Sequence, residues 1–216
     1  GDMDAVHFGL HYTAEGSTEV NDMLLRTTPM VDERPERVPG LRTKFLNDGI
    51  PTDRVARLSV TLGLPDGSGY VRLTSADPSV QPNFNYRYLQ HPNDKRRVRD
   101  GIRKAAAFLE SEAYKEVCDQ RLHPTDDILN DDNSLDRYIS QTVGTARHVS
   151  GTCKMGPDSD PMAVVDQYCN VKGVAGLSVV DASVKPKITR SGGSHATVLM
   201  MAERAVEFIS RMTAQV

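Results

Sequence analysis

Arg147-His-Val-Ser-Gly-Thr-Cys-Lys-Met-Gly156 is the stretch on which the reading of this chain turns. Its histidine, His148, is followed by Ser150, Gly151 and Thr152, small residues that let backbone approach a ligand closely. A histidine that titrates near neutrality suits proton abstraction. The same side chain serves equally well as a hydrogen-bonded member of an ordinary fold, so His148 alone does not decide between the two. A second stretch, Ser191-Gly-Gly-Ser-His-Ala-Thr197, sets His195 directly before an amphipathic segment, where an imidazole is either a reactive group or one that meets a helix end. Between them Leu177-Ser-Val-Val-Asp181 has the pattern of a buried strand ending on an acid. Strand, loop and helix start in that order make an anion-receptive arrangement, because unpaired N–H groups and the helix dipole face the same way.

Upstream, Val6, Phe8 and Leu10 alternate with His7, Gly9 and His11, which predicts a strand over 2–12. Residues 13–54 are polar and broken by Pro29, Pro35, Pro39 and Pro51, which predicts mostly loop with one short helix. Leu58, Val60, Leu62 and Leu64 alternate with polar or small residues, and Tyr70-Val-Arg-Leu-Thr74 resumes the pattern after Pro65-Asp-Gly-Ser-Gly69. That predicts a β-hairpin; a phosphate loop would open a helix, and this glycine pair opens a strand. Val98, Ile102, Ala105 and Leu109 predict a helix capped by Asn93 or Asp94. Its cations Lys95, Arg96, Arg97, Arg99, Arg103 and Lys104 are interrupted by apolar residues at helical spacing, so they read as a solvated basic face. A second helix is predicted over 134–145, with Leu135, Tyr138, Ile139 and Thr142 on one side and Asn133 or Ser134 as cap. A third runs from Ser194 or His195 to about Met212, with Val198, Ala202, Ala205 and Ile209 on one face.

Composition excludes several function classes. A net charge of −3 over 216 residues gives no polyanion-binding footprint, so nucleic acid is not an expected partner. No apolar run approaches the roughly 20 residues of a membrane helix, and the first residues lack a signal pattern, so a soluble, cytoplasmic protein is expected. Cys118, Cys153 and Cys169 lie far apart without Cys-x-x-Cys spacing, which suggests neither a disulfide framework nor zinc. His7 and His11 lack the neighbouring carboxylates or thiols that would argue for metal. Cys153 with His148 as its base makes a nucleophilic hydrolase a rival, though no cysteine-hydrolase signature surrounds it.

Several ordered motifs carry a family resemblance. Gly69-Tyr-Val-Arg-Leu-Thr-Ser-Ala-Asp-Pro78, Tyr88-Leu-Gln-His-Pro92 with Asp94, and the stretch His148–Gly156 come first. Asp160-Pro-Met-Ala-Val-Val-Asp166, Gly173-Val-Ala-Gly-Leu-Ser-Val-Val-Asp-Ala-Ser183 and Met201-Ala-Glu-Arg-Ala205 follow. In this order they resemble the C-terminal part of a glucose-methanol-choline (GMC) oxidoreductase, a family of FAD-dependent alcohol oxidases and dehydrogenases. The resemblance implies that His148 is the general base and that His195, histidine or asparagine in the family, hydrogen-bonds the substrate oxygen. It implies cofactor contacts at Asp181 and Ala182 and at the helix start, His195, Ala196, Thr197 and Val198. The implied reaction takes the hydroxyl proton to His148 while a hydride passes from the alcohol carbon to flavin N5.

The sequence departs from the family pattern at Arg147, usually aromatic, at Val149, usually proline, and at Thr197-Val198, usually Pro-Thr. Arg147, Lys185, Lys187 and Arg190 suggest positive charge near the site and hence an anionic substrate or acceptor. No Gly-x-Gly-x-x-Gly occurs, so the dinucleotide-binding βαβ unit is missing and an N-terminal FAD-binding half is the expected partner, as a separate chain or cleaved fragment. The expected architecture is α/β (α+β). Residues 1–145 form a mixed-sheet substrate-binding region, and 146–216 form the C-terminal returning segment of an FAD-binding Rossmann-like domain. The alternatives are a hydroxynitrile lyase-like member without net redox and a non-catalytic or regulatory fragment.

Overall fold

A computed structural model of the chain describes residues 7–13, 20–29, 56–115, 121–189 and 194–213. They fall into two compact units, one drawn from Gly1–Gly67 and Tyr88–Gly144, the other from Ser68–Arg87 and Thr145–Val216. Helix and strand are mixed throughout, as the α/β expectation requires.

In the first unit, β1 (His7–Thr13), β2 (Val20–Pro29) and β3 (Ala56–Leu62) form an antiparallel sheet in that order. Its register pairs His7 with Arg26 and Met23 with Leu62. β2 corrects the loop expected at 20–29, whereas residues 14–19 and 30–54 lie outside the described residues. As the central strand it spends its backbone groups on two neighbours, a support absent from its own sequence. Pro29, without an N–H, ends it against Ala56.

The hairpin expected between the runs at 58–64 and 70–74 does not form. β3 pairs with β2, whereas β4 (Tyr70–Arg72) pairs with β5 (Asn83–Asn85) in the second unit. The backbone after β3 is spent elsewhere. The Arg97 guanidinium donates to the carbonyls of Gly63 and Leu64, each at 2.8 Å, and the Asp94 carboxylate accepts the N–H groups of Asp66 and Gly67, also at 2.8 Å. A turn so pinned cannot close a ladder of its own.

Both pinning residues lie on α1 (Pro92–Leu109), which opens on a proline, where a missing N–H costs nothing. Its Val98, Ile102 and Ala106 pack with Leu129 of α2 (Asp126–Asn130) and with Leu135 and Ile139 of α3 (Asp132–Thr142). The cap of α3 is Asp131 rather than Asn133 or Ser134: its carboxylate accepts the Ser134 N–H at 2.7 Å, and hydrogen bonds from Ser134 hold its pKa below the usual carboxylate range. The cations of α1 correct the solvated-face expectation. Arg99 Nη1 donates to both carboxylate oxygens of Asp136 at 3.0 Å, Arg103 reaches Asp132 at 2.7 Å and the Leu129 carbonyl at 2.9 Å, and Lys95 lies 3.7 Å from Asp136. Arg99 and Arg103 share one helix face, as do Asp132 and Asp136, so the two helices meet charge to charge.

The second unit has a core of Val165, Cys169 and Val184, against which Met155, Val171, Val179, Val180 and Met201 pack. The strand expected at Leu177–Asp181 is reduced to one bridge, Asn170 with Ser178. Val179 and Val180 turn inward as predicted, but Leu177 is 50% exposed. Among the described residues no strand pairs along this segment, so it lacks the ladder that would make it one. The last helix, α4 (His195–Thr213), starts and ends as predicted. Its packed face is Met201, Ala205 and Phe208, the last set edge-on against Tyr168 at 5.1 Å. Of the predicted face, Ala205 is buried whereas Ile209 is 43% exposed. No described helix is long and apolar enough to cross a membrane.

Candidate active site

The site residues lie on three segments of the second unit. Arg147, which aims the first of them, sits at φ 64°, a left-handed conformation that costs a non-glycine residue on the order of 1 kcal/mol. Neighbouring hydroxyls hold the bend: Thr145 Oγ1 accepts the Arg147 N–H at 2.9 Å, and Ser150 Oγ donates to the His148 carbonyl at 3.2 Å. His148 is thereby presented on the surface, its Nδ1 3.1 Å from Ser194 Oγ.

Ser194 directly precedes His195, the first residue of α4, and its carbonyl accepts the Val198 N–H at 2.8 Å. His148 is thus tied by hydrogen bond to the residue beside the second candidate histidine. His195 and Ala196 are exposed at this helix start, and Thr197 and Val198 are half-buried. Unpaired N–H groups and the positive end of the dipole are presented there.

The third segment lies alongside the first. The N–H groups of Gly151, Cys153 and Met155 donate to the carbonyls of Ala182, Ser183 and Val184 at 3.4, 2.9 and 2.8 Å. Gly151 sits at φ 84°, and a Cβ there would stand 3.3 Å from the Lys185 carbonyl oxygen. Asp181 caps a short 3-10 turn, Ala182–Val184, its Oδ1 accepting the Ser183 N–H at 2.7 Å and the Ser183 hydroxyl. The carboxylate is exposed.

The positive cluster inferred from sequence is not assembled as expected. Lys185 is 3% exposed, its Nζ 3.3 Å from Thr189 Oγ1, and burial lowers its pKa. Its amine belongs to the interior rather than to a surface that greets an anion. Arg147 and Lys187 are exposed, and Arg190 lies outside the described residues. Cys153 is half-buried; Cys169 is buried, and burial first, then the Asp166 charge, pushes its thiol pKa up. In the first unit Asp66, His91 and Asp94 bring ligand-type atoms within 4.8 Å of one another, but both Asp94 oxygens already hold backbone N–H groups. That grouping is a loop clamp. Sequence reasoning missed Ser194 and Thr145, for which the available signal was adjacency: a hydroxyl beside each candidate histidine's segment.

The GMC oxidoreductase family model matches residues 65–202. Among curated relatives, the chain is 38% identical over 145 residues to the oxygen-dependent choline dehydrogenase of Photobacterium profundum, covering 67% of this chain and 25% of the relative. It is 32% identical over 192 residues to the enzyme of the same name from Rhizobium rhizogenes, covering 86% of this chain and 34% of that one. Among solved structures it is similar to pyridoxine 4-oxidase from Mesorbium loti, with a TM-score of 0.73 at 26% identity over 91% of this chain and 36% of that one. The chain spans about a quarter to a third of the length of the curated relatives it matches. A family model that covers most of the chain, joined by relatives that share its sequence and a structure that shares its fold, means that this chain belongs to the GMC oxidoreductases.

Proposed function

We propose that this chain supplies the catalytic-histidine part of an FAD-dependent oxidoreductase that oxidises a small alcohol. His148 is the general base, and His195 hydrogen-bonds the substrate oxygen. The observation that carries this reading is the His148–Ser194 hydrogen bond at 3.1 Å, which ties His148 to the residue directly before His195 at the start of α4. The alcohol class is supported by relatives named choline dehydrogenase and pyridoxine 4-oxidase.

The GMC oxidoreductases are FAD-dependent flavoproteins, and the residues here fit that cofactor in chemistry. The exposed Asp181 carboxylate is an acceptor for ribityl hydroxyls. The first N–H groups of α4 are donors for the electron-rich edge of a flavin ring. Ala182 and Ala196 add no bulk beside them. Bound FAD supplies the hydride-accepting chemistry. The chain's own residues handle the rest: His195 orients the substrate hydroxyl, and the imidazole of His148 takes its proton as the carbonyl forms. The FAD-binding half lies outside these 216 residues. This is supported by the absence of Gly-x-Gly-x-x-Gly from the sequence and by relatives of which the chain matches only 25% and 34%.

The test is His148→Asn in the assembled flavoprotein, mixed anaerobically with a panel of small alcohols while flavin absorbance is followed. Bleaching is expected to slow by about 10²–10⁴-fold with flavin content unchanged. Parental bleaching in the variant sinks the base assignment. A parent whose flavin stays oxidised while it cleaves cyanohydrins makes the protein a lyase instead.

A further inference from the structure

We infer that Ser194 is a positioning residue that fixes which nitrogen of His148 reacts, an inference that rests on the reading of His148 as base. An imidazole has two nitrogens, and only the one without a proton can accept one. Nδ1 is 3.1 Å from the Ser194 hydroxyl oxygen. Two arrangements satisfy that distance. If the hydroxyl donates, Nδ1 is the bare nitrogen and is already occupied, while Nε2 carries hydrogen and cannot serve as base. If Nδ1–H donates to Oγ, Nε2 keeps its lone pair and faces away from Ser194, open to a substrate hydroxyl. A base at this position therefore requires the second arrangement, with Ser194 as acceptor and Nε2 as the reactive atom. The same hydrogen bond persists once Nε2 has taken the proton, since Nδ1–H still donates to Oγ.

The surroundings support a positioned ring. The backbone on either side of His148 is fixed by Thr145 and Ser150. The ring itself is exposed, so tight packing does not set its orientation. Among the described residues a single directed hydrogen bond then carries the orientation, as it does when the second nitrogen of a catalytic or ligating histidine is held by a fixed partner. Ser194 itself is anchored where α4 begins, its carbonyl in the first hydrogen bond of the helix, so the hydroxyl is delivered by a rigid element. The helix start that carries His195 therefore also sets the chemistry of His148.

The experiment uses the full flavin-loaded protein labelled with [15N]histidine, with the His148 signals assigned by their loss in His148→Asn. In the parent the nitrogen shifts should report the Nδ1–H tautomer as the dominant neutral form; dominance of Nε2–H overturns the inference without any variant being needed. Ser194→Ala should move that population towards Nε2–H and lower kcat about fivefold, the worth of one hydrogen bond, with KM changed less than about twofold. Ser194→Thr, which keeps the hydroxyl, should restore both. An unchanged tautomer population in Ser194→Ala, or a loss of kcat that Ser194→Thr does not restore, overturns it. The nitrogen shifts read the contact independently of turnover, so a His148→Asn variant that oxidises alcohol normally refutes the base assignment and leaves the Ser194 contact separately decided.

Discussion

Asp94→Asn isolates the clamp that decided the fold of the first unit. The side chains of Asp94 and Arg97 are 4% and 7% exposed and lie 3.7 Å apart on one face of α1. Each holds two backbone groups of the segment after β3, four hydrogen bonds at 2.8 Å in all. The asparagine keeps the shape and one acceptor, so one N–H survives as a neutral hydrogen bond. The other donor meets the amide NH2 and is left buried without an acceptor, at a cost of about 1–3 kcal/mol. Arg97 also loses its counter-charge; breaking a buried pair costs about 3–5 kcal/mol. The two carbonyls still share the guanidinium charge and the pair is 3.7 Å apart, so this loss falls below that range, to about 1–2 kcal/mol, and the total is about 3 kcal/mol. For a unit of this size that lowers Tm by about 10 °C. Calorimetry reads the shift, and amide exchange at Asp66 and Gly67 reads its location. The pair is coupled, so Asp94→Asn with Arg97→Met should cost about 1–2 kcal/mol less than the sum of the single changes. A Tm loss below about 2 °C with parental exchange at Gly67, or strict additivity, refutes the clamp.

Gly69→Ala should break the pairing of β4 with β5, because its Cβ would lie 2.1 Å from the Asn85 carbonyl oxygen and 2.8 Å from the Tyr86 Cα. About 2 kcal/mol is expected from an overpacked backbone contact, read as faster amide exchange at Tyr70–Arg72, whereas Gly144→Ala, which meets nothing within 4 Å, serves as the silent control. Lys185→Met should stabilise the protein by about 1–2 kcal/mol at pH 7, since it removes an amine whose burial is compensated, among the described residues, by one hydroxyl. The sign in pH follows from the lowered pKa: the native state resists protonating this amine, so the penalty is full below the folded pKa and vanishes as pH rises past the unfolded value. The variant's advantage in urea titrations should therefore shrink at strongly alkaline pH, and an advantage that grows there overturns the assignment.

What the sequence disclosed divides by the range of the forces involved. α1 and α3 were legible because Val98, Ile102 and Ala105, and Leu135 and Ile139, repeat at the local period of a helix. β2 was not, because a central strand is held by partners at positions 7–13 and 56–62 rather than by its own pattern. The cations of α1 looked solvated for the same reason: Asp132 and Asp136, which receive Arg99 and Arg103, lie on another helix. In the second unit the candidate site residues could be named from sequence because each sits beside glycine or small residues in a stretch dense with motif. The hydrogen bond from His148 to Ser194 crosses 46 positions and has no local signature.

α4 shows why even a clear helix can be misread. Val198, Ala202, Ala205 and Ile209 form one apolar stripe, and Met201, Ala205 and Phe208 form another, so Ala205 belongs to both and periodicity alone cannot choose between them. The Val165–Val184 core takes the second, while Leu199, Met200 and Val206 are about three-fifths exposed. A soluble helix normally pairs one apolar face with a polar one, and a helix apolar on two faces belongs in an interior. The ambiguity therefore has a physical source: the sequence of α4 answers to two sets of packing partners, of which the described residues provide one. Charged substitutions separate the two. Val206→Glu, on the uncovered face, should leave the unit's own stability nearly unchanged but weaken its joining to the proposed FAD-binding half, whereas Ala205→Glu should unfold the unit outright. Equal Tm losses from the two substitutions in the isolated chain would mean that the outer face is already in use, and the second set of partners would have to be abandoned.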